Sequence, residues 1–309
     1  MLALVTDRSA PEGIALSVVV EPVPGPAEAL VDVRALSLNR GEVRSLNTQP
    51  QGVVHGWDLA GVVRRPAADG TGPGEGARVV GMVGRGAWAQ QAAVPTSVLA
   101  ELPEAVSFET AAALPIAGLT AVRALAVAGS LLGCRLLVTG AAGGVGRFAV
   151  QLGHRAGAQV TGVAASEERA RGLRELGADE VIAELEAGGE AAYDVILESV
   201  GGASLAAALQ RVAPRGIVVA FGNSSGEPTS FDVSNFYRRA GARLYAFLIF
   251  DELAREGTGA ADLRFLAQEV AAGRLDPQIS LTVSWREAGP AITALLERRV
   301  LGKAVLTVD

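Results

Sequence analysis

One cysteine, one lysine and two histidines stand in a chain of 309 residues, and these scarcities already exclude several kinds of chemistry. A lone Cys134 rules out an intramolecular disulfide and a four-cysteine structural zinc site. With only His55 and His154 beside it, a three-ligand His/Cys zinc site would take all three residues or recruit carboxylates. Asp plus Glu outnumber Lys plus Arg by 33 to 27, giving a net charge of −6. A mildly acidic chain argues against a broad basic face for nucleic acid. No stretch reaches about 18 uninterrupted apolar residues, so no membrane span is expected. The most apolar segment, 111–132, is broken by Pro115, Gly118, Arg123 and Gly129. The first seven residues lack the basic start and long apolar run of a signal peptide, and a soluble cytoplasmic protein is the expectation.

What is present fits a globular protein of about two domains: half the residues are hydrophobic and 19% are charged. The first hundred residues read as strands and turns. Segments 15–20 and 29–36 are rich in β-branched residues and are separated by Pro22, Pro24 and Pro26. Further strands are expected over 57–63 and 77–82, with a Gly/Pro/Asp-rich turn region between them. From Ser107 an alanine-rich helical stretch begins, interrupted at Pro115 and resumed over 118–128. From residue 135 onward strand and helix alternate. Strands are expected at 136–139, 159–164, 179–182, 194–197 and 217–221, and a helix at 146–156. Ser166 is placed as the N-cap of a helix running to Gly177. This alternation predicts an α/β fold with a parallel sheet and helices on both faces. Two tail helices follow, over 261–272 and from a capping box at Ser284 and Glu287, and a strand over 302–308 closes the chain.

After the strand at 136–139 come Gly140, Gly143, Gly144, Val145 and Gly146, then the helix. The spacing departs from the standard dinucleotide fingerprint, but the physics is shared. A tight glycine turn lets backbone N–H groups approach a pyrophosphate, and a helix N-terminus faces the anion. At the tip of the second strand stand Ala164, Ala165 and Ser166, where NAD enzymes usually place a carboxylate for the ribose 2′-hydroxyl. Ser166 and Arg169 suit a 2′-phosphate instead, so NADPH is favoured over NADH. Glu167 and Glu168 are read as favourable charge on a first helical turn.

Three motifs taken together resemble one family: Gly140 to Gly146 followed by Ala149, Val150, Gln151 and Leu152; Ala112 to Ala121; and Phe221 to Gly226. They are similar to the medium-chain dehydrogenase/reductase superfamily, in its zinc-independent NADPH:quinone oxidoreductase-like branch. The order of segments matches along nearly the whole chain. The resemblance implies a GroES-like, mostly-β catalytic domain over 1–114 and 250–309, and a Rossmann NADP-binding domain over 115–249 inserted into it. It implies a nicotinamide in the cleft between the domains and a homodimer or homotetramer. It also implies contacts. Asn39 falls where the family has an asparagine beside the nicotinamide ribose, and Thr120 where it has a threonine near the nicotinamide. Arg169 corresponds to the basic residue at the 2′-phosphate. Phe221, Gly222 and Asn223 line the cofactor groove, and Phe247 and Leu248 belong to a segment approaching the carboxamide. Lys303 matches a frequent lysine near the chain end, assigned here to the cofactor side. The plainer alternatives are that Asn39 only shapes a turn and that Thr120 caps a helix.

The departures from the family bear on the substrate. Zinc-dependent relatives carry a cysteine near the position of Asn39 and Gly-His-Glu where this chain has Gly56, Trp57 and Asp58, so no metal site is expected. Many quinone reductases have a tyrosine where Val53 stands, five residues before the carboxylate equivalent to Asp58. The tyrosine of Gly-Ala-Tyr-Ala is Trp88, an indole able to stack on a planar substrate. Glu42 replaces a common aspartate. With the usual proton donor missing, His55 is a candidate acid for protonating an enolate. The expected activity is hydride transfer from NADPH to a quinone or an α,β-unsaturated carbonyl compound. The alternatives are an enoyl-thioester reductase of a biosynthetic pathway, with Arg40, Arg44, Arg64 and Arg65 as a basic rim, or a catalytically lapsed NADPH-binding protein.

Overall fold

Leu, Val and Ile dominate the opening segments, which pair as strands. β1 (Leu2–Thr6) and β2 (Ile14–Val18) form an antiparallel ribbon with Leu4 opposite Leu16. β3 (Glu28–Leu38) follows and then, after α1 (Arg40–Ser45), β4 (Asp58–Arg65), β5 (Arg78–Met82), β6 (Gln91–Pro95) and β7 (Leu99–Glu101). β3 is the organising strand, antiparallel to both β4 and β6. Gly61 on β4 permits this pairing, because a Cβ there would lie 2.1 Å from the Asp32 carbonyl oxygen. α2 (Phe108–Ala112) starts where the Ser107 hydroxyl accepts from the Thr110 N–H. α3 (Pro115–Ala128) begins at Pro115 instead of being interrupted by it. Proline is suited to a first helical position, where its missing N–H has no partner to lose.

The alternating segment forms β8 (Arg135–Val138), α4 (Gly144–Arg155), β9 (Gln159–Val163), α5 (Glu167–Ala170), β10 (Glu180–Ile182), β11 (Tyr193–Glu198), α6 (Gly202–Arg211), β12 (Val212–Ala220), α7 (Val233–Tyr237) and β13 (Arg243–Ala246). The six strands lie in the order β10-β9-β8-β11-β12-β13, every pairing parallel. In chain order that is 3-2-1-4-5-6, the doubly wound arrangement, with its switch point between β8 and β11. The expected helix from Ser166 to Gly177 is one turn only. Arg171 turns out of the helix with ψ 130°, and Gly172 takes a φ of +80°.

α8 (Ile249–Glu256) leads into the tail: α9 (Gly259–Ala271), β14 (Ile279–Ser284), α10 (Ala288–Leu296) and β15 (Lys303–Thr307). Ser284 accepts from the Arg286 N–H and opens a 3₁₀ turn, Trp285–Glu287, ahead of α10. β15 pairs with β14 and with β3, so the tail completes the first sheet in the order β14-β15-β3-β4-β5-β7, with β6 also on β3. Leu36, Leu59, Trp88 and Trp285 are fully buried in the core around this sheet. The structure, a computed structural model, describes every residue except 11 and 189. It divides into two compact units: Met1–Leu119 with Leu253–Asp309, and Thr120–Glu252.

Candidate active site

In the second unit the glycine loop sits at the switch point and is too tight for a side chain at Gly140 and Gly146. Gly140 has φ +59°, and a Cβ there would lie 2.6 Å from the Ser199 hydroxyl. At Gly146 a Cβ would meet the Gly140 carbonyl oxygen at 2.5 Å and the Ala141 Cα at 2.6 Å. The loop closes through the Gly143 N–H donating to the Gly140 carbonyl at 2.9 Å. Gly143 is the N-cap of α4 and provides no side-chain cap. The first-turn N–H groups of Gly144, Val145 and Gly146 therefore have neither an intrahelical carbonyl nor a capping side chain to bind. Together with the helix dipole they form a neutral cradle for an anion.

Buried polar groups brace this cradle. Glu198, fully buried at the end of β11, accepts from the Thr139 hydroxyl at 3.2 Å, the Val200 N–H at 3.0 Å, the Gly201 N–H at 3.0 Å and the Ser204 hydroxyl at 2.9 Å. Ser199 donates its N–H to the Thr139 hydroxyl and its own hydroxyl to the Thr139 carbonyl. The ends of β8 and β11 are thereby fixed on both sides of Gly140. Sequence reasoning passes over Glu198, although a carboxylate closing the apolar run of Val195, Ile196 and Leu197 was a signal.

Ser166 and Arg169 share the short turn after β9, where the Ser166 hydroxyl accepts from the Arg169 N–H at 3.3 Å. Ser166 is exposed and Arg169 half-buried. Phe221, Gly222 and Asn223 leave the end of β12, and the Asn223 side-chain oxygen accepts from the Gly226 N–H at 3.1 Å. The Phe247 N–H donates to the Ala220 carbonyl at 2.9 Å, which brings the 247–248 segment beside the end of β12. Phe247 is buried and Leu248 is exposed. Thr120 lies inside α3, buried, and so caps no helix.

In the first unit, Asn39 and Lys303 belong to one buried polar cluster. Ala304 pairs with Leu38 in the sheet, which carries Lys303 to the end of β3. The Lys303 ammonium donates to the Asn39 side-chain oxygen at 2.7 Å, to Asp58 at 3.3 Å and to the Leu38 carbonyl at 3.4 Å. The Asn39 amide nitrogen donates to Asp58 at 2.8 Å and to Glu42 at 3.2 Å. Asp58 also accepts from the Ser37 hydroxyl at 2.6 Å and the Ile116 N–H at 2.9 Å. Asp58 and Glu42 are completely buried and Lys303 is 3% exposed. Glu42 accepts from the Asn39 N–H at 2.7 Å through one oxygen; its other oxygen has no partner among the described residues. Burial, seconded by the negative charge of Asp58, raises the Glu42 carboxyl well above its ordinary pKa; the Asn39 hydrogen bonds and Lys303 oppose this only in part. The cluster thus joins the Lys303 ammonium to the Asp58 carboxylate through Asn39, with the Glu42 carboxyl held above the ordinary carboxylate range beside them. The expectation of a cofactor-side lysine is met by a side chain that holds Asn39 and Asp58.

His55 is also inside, 4% exposed, against the edge of the Trp88 ring at a centroid distance of 5.3 Å. Its Nε2 lies 3.0 Å from the Glu42 carbonyl oxygen, a pure acceptor, so that nitrogen carries the proton. Desolvation, helped by the charge of Arg85 and opposed by the hydrogen bond to Glu42, lowers its pKa and keeps the ring neutral. A buried neutral imidazole that already donates its one proton to a carbonyl is placed for packing, not for acid catalysis. Trp88 is fully buried, so its indole presents no face to a substrate. Arg40 reaches the carbonyls of Leu295 and Leu296 at the end of α10, and Arg64 lies 3.6 Å from Asp32. Arg40 is thus tied to the end of α10, whereas Arg44, Arg64 and Arg65 are exposed. No group of three His, Cys, Asp or Glu among the described residues could hold a metal ion. Nor is any helix long and apolar enough to cross a membrane.

Comparison with known proteins accords with this architecture. Residues 25–104 match the alcohol dehydrogenase GroES-like domain family, and residues 144–263 match the zinc-binding dehydrogenase family. A quinone oxidoreductase from Pseudomonas aeruginosa is 31% identical over 304 residues, covering 92% of each chain. The spectinabilin polyketide synthase system protein NorB of Streptomyces orinoci is 34% identical over 297 residues; these are 92% of this chain but 13% of that protein. Among solved structures, a quinone oxidoreductase from Pseudomonas syringae pv. Tomato DC3000 superposes with a TM-score of 0.85 at 27% identity, covering 99% of both chains. A GroES-like first unit, a 3-2-1-4-5-6 parallel sheet with a glycine cradle, and a relative matched along its length have one common explanation: the chain belongs to the medium-chain dehydrogenase/reductase superfamily, in its quinone oxidoreductase-like branch.

Proposed function

We propose that this chain is an NADPH-dependent reductase that delivers hydride to a quinone or an α,β-unsaturated carbonyl compound without zinc. The observation that carries the reading is the glycine cradle at the switch point, where Gly140 and Gly146 leave no room for a Cβ and a dinucleotide pyrophosphate can approach the backbone. The P. aeruginosa quinone oxidoreductase, matched over 92% of its length, supports the choice of reaction. NADPH, when bound, supplies the hydride.

The chain's own residues have defined tasks in this reading. Gly143, Gly144, Val145 and Gly146 hold the pyrophosphate through backbone N–H groups. Ser166 and Arg169 take the 2′-phosphate. Phe221, Gly222, Asn223, Phe247 and Leu248 line the cofactor, and Thr120 stands toward the nicotinamide. Both amide hydrogens of Asn39 are engaged by Asp58 and Glu42, and its oxygen accepts from Lys303. Asn39 therefore meets a ribose hydroxyl as an acceptor only, through its remaining lone pair. Lys303 orients Asn39 and does not touch the cofactor. With His55 held neutral and buried, the proton for the product is assigned to solvent.

The donor set supports zinc independence. At the positions of the zinc ligands stand Asn39 and Trp57, neither a thiolate nor an imidazole. The nearby carboxylate Asp58 is already neutralised by the Lys303 ammonium at 3.3 Å. A divalent cation would have to displace that lysine and find nitrogen or sulfur ligands that these positions do not offer.

The match to a polyketide synthase system protein favours a second reading, reduction of an enoyl thioester. For assembly, β13 is an edge of the six-stranded sheet with Leu244 exposed, and Val233, Tyr237 and Leu248 are exposed in the same unit. A homodimer formed across this edge accords with these features. The test of function is NADPH oxidation, with NADH in parallel, against quinones, enones and enoyl thioesters. Turnover with NADPH preferred is expected, and the best acceptor ranks the two readings. Oxidation of neither cofactor by any acceptor would overturn both.

A further inference from the structure

A buried side chain ties the turn that carries Ser166 and Arg169 to the glycine loop. Arg147, in the first turn of α4, is 4% exposed. Its Nε donates to the Ala142 carbonyl inside the glycine loop at 3.3 Å. Its Nη2 donates to the Arg171 carbonyl at 2.8 Å. In an uninterrupted helix from Ser166 to Gly177 that second carbonyl would accept from the N–H of residue 175. Here Arg171 has swung to ψ 130° and Gly172 to φ +80°, and the guanidinium takes the carbonyl in place of the helix. The fit is close, since a Cβ on Gly172 would lie 3.4 Å from the Arg147 Nη1. A planar guanidinium with diverging N–H groups can reach both carbonyls at once, which the single ammonium of lysine cannot reproduce in the same geometry.

We infer that Arg147 is a positioning residue for cofactor discrimination: by bridging the glycine loop and the Arg171 turn, it sets the Ser166–Arg169 segment where a 2′-phosphate is received. The inference rests on the NADPH reading above. The pyrophosphate cradle itself is built from backbone and is common to both dinucleotides, whereas the Ser166–Arg169 segment meets only the group that distinguishes them. Loss of the bridge should therefore weaken NADPH more than NADH. Charge acts in the same direction, because a cation buried in a medium of low dielectric favours an anionic neighbour.

The experiment is calorimetric titration of the intact protein with NADPH and NADH, for the wild type, R147M and R147K, with thermal melting to confirm that each variant is folded. The wild type is expected to prefer NADPH. In R147M the ratio of NADPH to NADH affinity should fall about tenfold, the size expected for one charge-assisted hydrogen bond. R147K, which keeps the charge and a single point donor, should still lose about threefold of the ratio. Equal weakening of both cofactors in R147M would make Arg147 a fold residue only and overturn the inference. So would an unchanged ratio in R147K, which decides the matter if R147M does not fold. A wild type that binds neither dinucleotide would instead refute the cofactor reading, and one that binds both equally would refute the 2′-phosphate assignment; each removes the ground of the inference.

Discussion

Lys303→Met removes the only cation from the buried cluster of the first unit. The side chain is close to isosteric and the site is closed to water, with Lys303 3% exposed and Asp58 fully buried. Three donor contacts vanish together, to Asn39, Asp58 and the Leu38 carbonyl. Asp58 keeps the Ser37 hydroxyl, the Asn39 amide and the Ile116 N–H, so its hydrogen bonding survives while its charge loses its counterion. Breaking one side of a buried ion pair costs about 3–5 kcal/mol. With about 2.1 cal/mol/K of unfolding entropy per residue, each kcal/mol corresponds to roughly 1.5 °C in Tm when all 309 residues unfold together. The assay is urea and thermal unfolding followed by circular dichroism for K303M, D58N and the double variant. K303M should be destabilised by about 3 kcal/mol or more. The double variant should cost less than the sum of the singles by about 1–3 kcal/mol, because removing both charges leaves no uncompensated ion. A loss below about 1 kcal/mol in K303M, the range of a solvent-exposed pair, or strict additivity in the cycle, would refute the account of the cluster.

The remaining predictions concern titration, chemistry and assembly. The Glu42 carboxyl is raised above its ordinary value of 4.5, so the folded state holds a proton that the unfolded chain has released, and stability falls as pH rises above about 4.5. Glu42→Gln mimics the neutral acid; its Tm should decline less than that of the wild type between about pH 5 and pH 8, and an identical decline would show that Glu42 is ionised. His55→Gln should keep turnover within about tenfold of the wild type; a loss of about 100-fold or more, the usual contribution of a general acid, would restore His55 as the proton donor. If the proposed homodimer forms across the exposed edge strand, the wild type sediments as a dimer and Leu244→Lys as a monomer; a monomeric wild type or a dimeric variant would refute that interface.

The second unit was legible because its signals are local. A short apolar strand, a glycine turn and a helix occupy consecutive residues, and alternation of strand with helix implies parallel pairing. Glu42, three residues after Asn39, signals a helix start, but its burial depends on Asp58 and on a lysine 264 positions from Asn39. That convergence follows from β15 joining β3 and leaves no trace in spacing. The helix expected from Ser166 to Gly177 failed for the same kind of reason. Its capping signals are sound and Ser166 does cap the turn, but Arg147, 24 residues earlier, takes the Arg171 carbonyl. His55 and Trp88 carry chemistry by residue type, and only their burial shows that packing claims them.

Direct hydride transfer is the central claim, and isotope tracing tests it most directly. The protein is incubated with NADPH carrying two deuterium atoms at the nicotinamide C4, so that either face delivers label, and an enone acceptor, and the product is analysed by mass spectrometry and NMR. One deuterium on the carbon β to the carbonyl, with the α-hydrogen drawn from solvent, is the predicted result. A reduced product without deuterium from the cofactor, or no reduction of any acceptor by a protein that binds NADPH, would contradict it.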